Sequence, residues 1–259
     1  MSGAGIPNFA ACYMLHQTQA IVLRTVAYGD TSLIVSALTE QFGIQQYLVK
    51  GARKASKKGG SAQASFLQPA ALLELVVYHQ ELRHLQIIKE MKWALVYQRV
   101  MSSVTRNAIA LYMTELLSKC LKQPESNSPL FELAAGTLRL LDECDDAVAA
   151  NLPLHFTLQL AAELGFRLED EYSSAAPILD LQEGVFVAEP PIHGFYLQPP
   201  LSEVTHLLLQ NDNPVTLYRI RLNKLQRREL LQAYAHFFHY HVADFGQLRT
   251  LQVLQEVLE

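Results

Sequence analysis

The sequence predicts an α+β protein in which a small five-stranded β-barrel is followed by an α-helical bundle. Between Leu15 and Lys89, short runs rich in Ile, Val, Leu and Thr alternate with turn residues, a pattern typical of strands. After Trp93 the apolar residues recur at helical spacing instead. The chain has 259 residues, of which 50% are hydrophobic and 18% charged, so it can bury the cores of two domains.

Five segments of the first part predict strands, and the turns Tyr28-Gly29-Asp30 and His79-Gln80-Glu81 separate two pairs of them. The predicted strands are Gln19–Val26, Ser32–Leu38, Ile44–Lys50, Ala70–Tyr78 and Leu82–Lys89. Their number and length match an OB-fold barrel, which we assign to residues 15–92. We expect residues 1–14 to form a disordered or non-native N-terminal extension, with translation beginning functionally at Met14.

The remainder, residues 93–259, predicts a helical domain. A long amphipathic helix is expected to begin near Trp93, because Val96, Val100 and Val104 recur four residues apart. Further helices are expected over residues 130–144, 152–166, 201–210, 224–240 and 245–258. Residues 171–200 are rich in proline and predict an inserted region, with a hairpin formed by 178–181 and 185–187.

Charge is distributed unevenly along the chain. Residues 1–100 contain ten Lys and Arg against five Asp and Glu, whereas residues 101–259 contain eleven against twenty. A basic first domain can hold an anionic strand, while the acidic remainder limits indiscriminate binding or faces a protein partner. The acidic run at 142–146 is interpreted as a solvated helix end or as a contact for a basic partner.

The segment Lys50–Gly60 is the strongest candidate for contact with nucleic acid. It contains five positive charges and no negative one, and its glycines let the backbone approach phosphates closely. Composition alone slightly favours a solvated loop, but its position after a barrel strand favours binding to a phosphate backbone. The residues assigned to this function are Lys50, Arg53, Lys54, Ser56, Lys57 and Lys58 in the segment, together with Arg24.

Aromatic residues of the barrel are secondary candidates for base stacking. Tyr28 and Tyr47 lie on or beside the predicted strands, although a half-buried barrel tyrosine is the better interpretation for each. No base-reading pattern is present, so the sequence predicts binding without sequence specificity.

A second basic cluster lies near the C-terminus. Its members are Arg219, Arg221, Lys224, Arg227 and Arg228. A solvated helix face is the default interpretation. The alternative is a site for an acidic peptide, in which Leu222, Leu225 and Leu230 form an apolar pocket beside the charges.

Several classes of site are disfavoured. The three cysteines are far apart and His236, His239 and His241 alternate with aromatic residues, so no metal site and no cofactor is expected. Phosphate-binding loops, nucleophile elbows and zinc-protease pairs are missing from the sequence, so no catalytic residue is assigned. No apolar run is long enough to cross a membrane, and a cytoplasmic protein associated with the nucleoid is expected.

Specific blocks of residues resemble the RecO family of bacterial recombination mediators and DNA repair proteins. The blocks are Ala20–Arg24, Tyr28–Asp30, Leu38–Gly43, Val49–Lys54, Phe66–Pro69, Glu163–Phe166 and Leu248–Leu254. The resemblance implies a non-catalytic protein with an OB domain that binds single- and double-stranded DNA and anneals complementary strands. It also implies the partners RecR, the C-terminal tail of single-strand-binding protein (SSB) and, indirectly, RecA.

One feature of the family does not carry over. Many members have a four-cysteine zinc element after the position of Leu164-Gly165-Phe166, but Arg167–Gln198 contains no cysteine. We therefore expect a metal-free hairpin there. Two other functions stay open at this point: an OB-fold protein that binds RNA or acts in translation, and a metal-dependent nuclease, which the missing acidic constellation disfavours.

Overall fold

The computed structural model describes residues 14–53, 62–80 and 83–258. Its first part contains five strands and one short helix. In chain order these are β1 (Met14–Tyr28), β2 (Ser32–Thr39), β3 (Gly43–Val49), α1 (Ala62–Phe66), β4 (Leu72–His79) and β5 (Leu85–Trp93). The strands close into a barrel in the order β1-β2-β3-β5-β4, with β3 and β5 parallel and the other pairs antiparallel. The predicted five-stranded barrel is confirmed.

Two boundaries in the barrel differ from the predictions. Met14, assigned above to the N-terminal extension, begins β1 and pairs with His79 of β4. The turn between β4 and β5 is longer than predicted and is bridged by Gln86, whose side-chain amide donates to the carbonyls of Gln80 and Arg83. Residues 1–13 and Lys54–Ser61 of the basic segment lie outside the described residues, as do residues 81 and 82.

Successive side chains along each strand point alternately into and out of the barrel, so the barrel wall has two faces. Ala20, Val22, Val35, Tyr47 and Leu73 point inward and form the barrel core, where each is at most 1% exposed. Outward-facing Ile21, Leu38 and Leu72 instead belong to the core of the helical domain. The barrel and the bundle are therefore packed around a shared layer of apolar side chains.

An irregularity in β1 marks where this shared layer ends. The pairing of β1 with β2 shifts between Val22 and Arg24, which is the signature of a bulge at Leu23. Next to the bulge, Ile21 and Leu23 belong to the bundle core; after it, Arg24, Val26 and Tyr28 are exposed. One strand thus contributes its middle residues to the domain interface and its last residues to a solvent-facing surface.

The long helix predicted after the barrel is present, but its predicted start near Trp93 is wrong. Trp93 ends β5, and α2 (Val104–Cys120) begins only after an irregular connector, with Ser103 as its N-cap. The connector is held by the buried carboxylate of Asp142, which accepts hydrogen bonds from the backbone N–H groups of Gln98, Arg99 and Val100 at 2.8–3.1 Å. Valines four residues apart mimic a helix here, but a side chain from elsewhere supplies the backbone's partners.

The bundle contains the remaining helices and a small sheet. Its elements are α3 (Ser128–Glu143), α4 (Asp146–Ala149), α5 (Leu152–Glu163), β6 (Ile178–Asp180), β7 (Val185–Val187), β8 (Tyr196–Leu197), α6 (Leu201–Leu209), a 3-10 helix (Pro214–Arg219), α7 (Lys224–His241) and α8 (Arg249–Val257). The predicted hairpin is confirmed as β6 and β7, and β8 adds a third strand beside β6. The last helix begins at Arg249 rather than Phe245, because Asp244 and Gly246 adopt positive φ angles.

The barrel and the bundle also meet at the β2–β3 turn. Gly43 has a φ of +61° and lies so close to the loop before α3 that a Cβ built on it would overlap the carbonyl of Glu125. Nearby, the Ser126 hydroxyl donates to the carbonyl of Glu40, and Arg139 donates to the side chain of Gln19. Only glycine satisfies both the backbone angle and the close approach at this position.

Candidate nucleic-acid interface

The exposed part of the barrel wall forms a continuous surface that we call the open barrel face. It comprises the outward-pointing side chains of four strands above the bundle. They are Arg24, Val26 and Tyr28 of β1, Ser32, Ile34 and Ser36 of β2, Gln46 and Leu48 of β3 with Lys50 just beyond it, and Leu85 and Ile87 of β5.

The pairing register arranges this face in rows. Val26, Ile34, Leu48 and Ile87 are cross-strand neighbours and form an aliphatic row. Arg24 stands in the row on one side, opposite Ser36. Tyr28 stands in the row on the other side, about 13 Å from Arg24 along β1. Lys50 follows β3 at that same end.

The cations of the face are available to a ligand. Arg24 and Lys50 are exposed, and neither forms an ion pair with any residue that the structure describes. Lys89, which the sequence analysis did not select, lines the adjoining groove and lies 3.6 Å from the carboxylate of Glu90. Phosphates would therefore meet cations on both sides of the aliphatic row.

Arg53 has a structural contact as well as a charge. Its backbone N–H donates to the carbonyl of Thr31 and its guanidinium to the carbonyl of Gly29, at 2.9 and 3.3 Å. These bonds attach the start of the basic segment to the β1–β2 turn. Of the residues assigned to phosphate contact, the structure brings Lys50 and Arg53 to one end of the face and Arg24 to the other.

The rest of the basic segment belongs to the stretch between Arg53 and α1. Lys54, Ser56, Lys57 and Lys58 fall between Arg53 and α1, outside the described residues. The chain returns at α1, whose Phe66 lines a groove of about 520 Å³ together with Leu48, Lys50, Ile87 and Lys89. The segment therefore leaves and rejoins the fold beside the open barrel face.

The two tyrosines differ in their positions. Tyr47 is 0% exposed inside the barrel, and burial raises the pKa of its hydroxyl above the usual value. It is unable to stack on a base. Tyr28 is 54% exposed and remains a candidate at the edge of the face.

The members of the second basic cluster differ in their contacts. Arg227 donates to the side chain of Asn151, and burial lowers the pKa of its guanidinium. Lys224 donates to the carbonyl of Glu256 at the end of α8. Arg219 lies over the ring of Tyr218, 5.7 Å from its centre. Arg221 is exposed. On α7, Lys224 and Arg228 are exposed, as a solvated helix face requires, whereas Arg227 is half-buried.

Arg228 instead borders a different pocket, which we call the α7 groove. This groove measures about 490 Å³ and is lined by Leu225, Arg228, Glu229 and His236 of α7 and by Phe195 and Leu197 of the inserted region. Leu225 is 62% exposed, but Leu222 and Leu230 are buried in the core and do not contribute. The wall from the insertion was missed because its contact with α7 is not visible in local sequence.

The inserted region is held together without cysteine. Leu179, Phe186 and Leu197 are buried in the bundle core, and His193 donates from Nε2 to the carboxylate of Asp180 at 3.2 Å. Within the described part of the chain, no group of three or more His, Cys, Asp or Glu residues is arranged to hold a metal ion. The residues present therefore do not fit a four-cysteine zinc site.

Two carboxylates of the acidic run form hydrogen bonds with other parts of the fold. Asp142 holds the connector, and Asp146 accepts hydrogen bonds from Arg106 and Arg99 at 2.5 and 3.2 Å. The guanidinium of Arg106 is 2% exposed and also donates to the carbonyls of Leu141 and Cys144 at the end of α3. Cations near a helix C-terminus offset the unfavourable position of the carboxylates. For Asp142, which is buried, both predicted interpretations are wrong; Asp146 is 88% exposed, so its solvated interpretation stands beside its two arginine contacts.

Among the described helices, none is long and apolar enough to cross a bilayer.

Comparison with known proteins gives consistent matches over the whole described chain. The family model "Recombination protein O N terminal" matches residues 14–97, and "Recombination protein O C terminal" matches residues 101–251. A DNA repair protein RecO from Azobacteroides pseudotrichonymphae is 29% identical over 95% of this chain and 100% of its own length. Those from Phocaeicola vulgatus and Bacteroides fragilis are 30% and 31% identical, over 94% and 95% of this chain and 99% and 100% of theirs.

Proposed function

This chain belongs to the RecO family of DNA repair proteins, and from that premise we propose that it binds single- and double-stranded DNA without sequence specificity, anneals complementary strands and, with RecR, helps to load RecA onto SSB-coated DNA. In this function the protein changes no covalent bond. DNA is held electrostatically, and annealing follows from base pairing between strands that cationic side chains bring together.

The observation that supports DNA binding most strongly is the arrangement of the open barrel face. Arg24 and Lys50 have no ion pair within the described chain and lie on opposite sides of the aliphatic row. The basic segment adjoins the same face through Arg53. A strand crossing this face would meet cations along its phosphates and aliphatic groups between them.

The contribution of the basic segment can be tested by its salt dependence. We expect the triple substitution Lys54→Ala, Lys57→Ala and Lys58→Ala to weaken DNA binding and to lower the slope of log affinity against log salt by about one unit per lost contact. The control is Lys122→Ala, Arg167→Ala and Arg249→Ala, which removes the same charge from exposed positions of the bundle. Equal slopes in both triples would show that the segment is a solvated loop.

The same two variants should differ in strand annealing on SSB-coated DNA, with only the first one impaired. Binding of DNA and RNA strands of equal sequence should be compared in parallel, because tight binding to RNA alone would support an RNA-binding function instead.

The α7 groove is a more suitable surface for the SSB tail than the second basic cluster. The tail is acidic and apolar, and the groove combines the guanidinium of Arg228 with exposed Leu225 and the ring of Phe195. A carboxylate of the tail can pair with Arg228 while an apolar side chain fills the groove. Arg219, Arg221, Lys224 and Arg227 are then secondary, since three of them have internal contacts.

Fluorescence anisotropy with a labelled SSB tail peptide tests this placement. Arg228→Glu should weaken peptide binding at least tenfold, because it replaces an attractive charge by a repulsive one. Arg167→Glu, at an exposed position outside the α7 groove, is the matched control and should change affinity less than twofold. Equal effects of the two substitutions would place the tail elsewhere.

A further inference from the structure

The centre of the open barrel face carries no ring on which a base could stack. Its two central strands, β2 and β3, present Ser32, Ile34, Ser36, Gln46 and Leu48 outward. The single aromatic residue of the described β3, Tyr47, points into the barrel. β2 contains no aromatic residue.

Among the described residues of the barrel, the aromatic side chains nearest the open barrel face lie around this centre. Tyr28 lies at the end of β1, and Tyr78 of β4 is a half-buried neighbour of Ile87. Phe66 lines the adjoining groove, but its ring stacks on Trp93 with centroids 4.8 Å apart. Of the undescribed residues, 54–61 and 81–82 include no aromatic residue, whereas 1–13 include Phe9 and Tyr13.

These positions determine which part of a nucleotide the face can bind. Barrels that hold single strands by their bases place aromatic rings in the groove, where successive bases stack. Here the row available to the strand is aliphatic, and the cations lie beyond it. Aliphatic side chains suit the sugar, and cations suit the phosphates, so nothing at the centre of the face selects for the flat surface of a base.

We propose that the open barrel face binds DNA by its sugar–phosphate backbone and leaves the bases turned toward solvent. This inference rests on the proposed DNA-binding function and specifies the chemical class that the face recognises, a deoxyribose–phosphate chain irrespective of its bases. A strand held in this way keeps its Watson–Crick edges free. A complementary strand can then pair with it while the protein is still bound.

The test compares two single strands of roughly 16 nucleotides, the upper site size of one such barrel. One strand is oligo(dT) and the other has the same backbone with abasic tetrahydrofuran residues throughout. We expect the full-length protein to bind both with dissociation constants within about threefold. If bases were stacked on the face, each would contribute roughly 5- to 150-fold, and the abasic strand would bind far more weakly.

A pair of valine substitutions ties the measurement to the face. Val26→Glu places a negative charge in the aliphatic row, whereas Val253→Glu places it on α8; the two valines are 44% and 53% exposed. We expect Val26→Glu to weaken binding of both strands at least tenfold and Val253→Glu less than twofold. Val26→Lys also replaces the valine by a charged side chain, so it disturbs folding to a similar extent, but its charge is positive. It should tighten binding of both DNA strands.

The outcomes separate the inference from the function on which it rests. Loss of binding to the abasic strand alone would overturn the inference and leave DNA binding intact. Failure of the unaltered protein to bind either strand would overturn both. If neither Val26→Glu nor Val26→Lys changed affinity, the row would not contact DNA, the inference would be wrong, and the face would be assigned to a protein partner.

Discussion

Replacing Asp142 by asparagine should destabilise the whole fold, because one buried carboxylate organises the connector between barrel and bundle. The side chain is 6% exposed. Its Oδ1 accepts from the backbone N–H groups of Gln98, Arg99 and Val100, and its Oδ2 accepts from Gln98 at 2.9 Å. Asparagine has the same shape but only one acceptor oxygen, and its amide group would face a backbone donor.

The magnitude follows from these contacts. A hydrogen bond to a charged group contributes about 1.5–3 kcal/mol, and a neutral acceptor gives roughly half of that. Asp142→Asn turns the Oδ2 contact into a clash of donors and weakens the bonds at Oδ1. We therefore expect the free energy of unfolding at neutral pH to fall by about 2–4 kcal/mol, a large part of the ~5–15 kcal/mol typical of a folded protein.

The loss should depend on pH. Burial opposes ionisation of Asp142, but the hydrogen bonds from Gln98, Val100 and Arg99 and the charge of Arg106 lower its pKa below the usual value. A lowered pKa in the folded state adds stability that is present above the unfolded pKa of about 3.9 and is lost as the pH falls through the folded pKa. The difference between the two proteins should therefore be constant above about pH 5 and shrink below about pH 4.

Urea unfolding followed by the fluorescence of Trp93 and by circular dichroism measures this difference at neutral and acidic pH. Asp145→Asn is the matched control: Asp145 is exposed, caps no backbone group with its side chain, and should change stability by less than about 0.5 kcal/mol. The reasoning is refuted if Asp142→Asn is as stable as the unaltered protein at neutral pH, or if its deficit is undiminished in acid.

Three further predictions concern other positions. Gly43→Ala should lower the free energy of unfolding by about 2–4 kcal/mol in urea, because the new Cβ meets the Glu125 backbone. Gly29→Ala, also at positive φ but in open space, should lower it by only about 1 kcal/mol. Equal losses would contradict the close approach at Gly43. Glu115→Gln should raise amide exchange in α8, since Glu115 accepts from the N–H groups of Arg249 and Thr250, and unchanged exchange would exclude this capping role. A strong chelator should leave the thermal midpoint unchanged, and a fall would reveal a bound metal.

The barrel could be predicted from the sequence because its signals are local. Alternating apolar residues in β2 and β3 and turns near Gly29 and Gly43 identify the strands to within one or two residues. The first five residues of β1 were missed because Met14–Thr18 has no clear alternation and is organised only by pairing with β4, some sixty residues later in the chain. The length of β1 therefore depends on its pairing with β4, which lies too far along the chain to be read from neighbouring residues.

The errors in the bundle have a similar cause. Val96, Val100 and Val104 match a helical period, yet the backbone between them is held by Asp142, more than forty residues away. Arg227 looks like a free cation in its helix until its contact with Asn151, 76 residues away, is known. Charge and periodicity describe what a residue is able to do, whereas distant neighbours decide which of its contacts are made.

The same limit applies to the candidate interface. The sequence places Lys50 and Arg53 in a basic segment, and Arg24 on a strand, but only the closed barrel shows that they border one surface. Lys89 carried no local signal and was missed. The wall that Phe195 contributes to the α7 groove was missed for the same reason, since it comes from the insertion rather than from α7.

The bulge at Leu23 makes β1 a mechanical link. One side of this 15-residue strand is anchored in the bundle through Ile21 and Leu23, and its continuation carries Arg24 and Val26 on the open barrel face. The barrel is therefore unable to pivot as a separate module without exposing apolar side chains to water. A force on DNA bound to the barrel is therefore transmitted to the bundle. Ligands bound to the two domains are kept at a distance that the folded protein sets, as a flexible linker would not do.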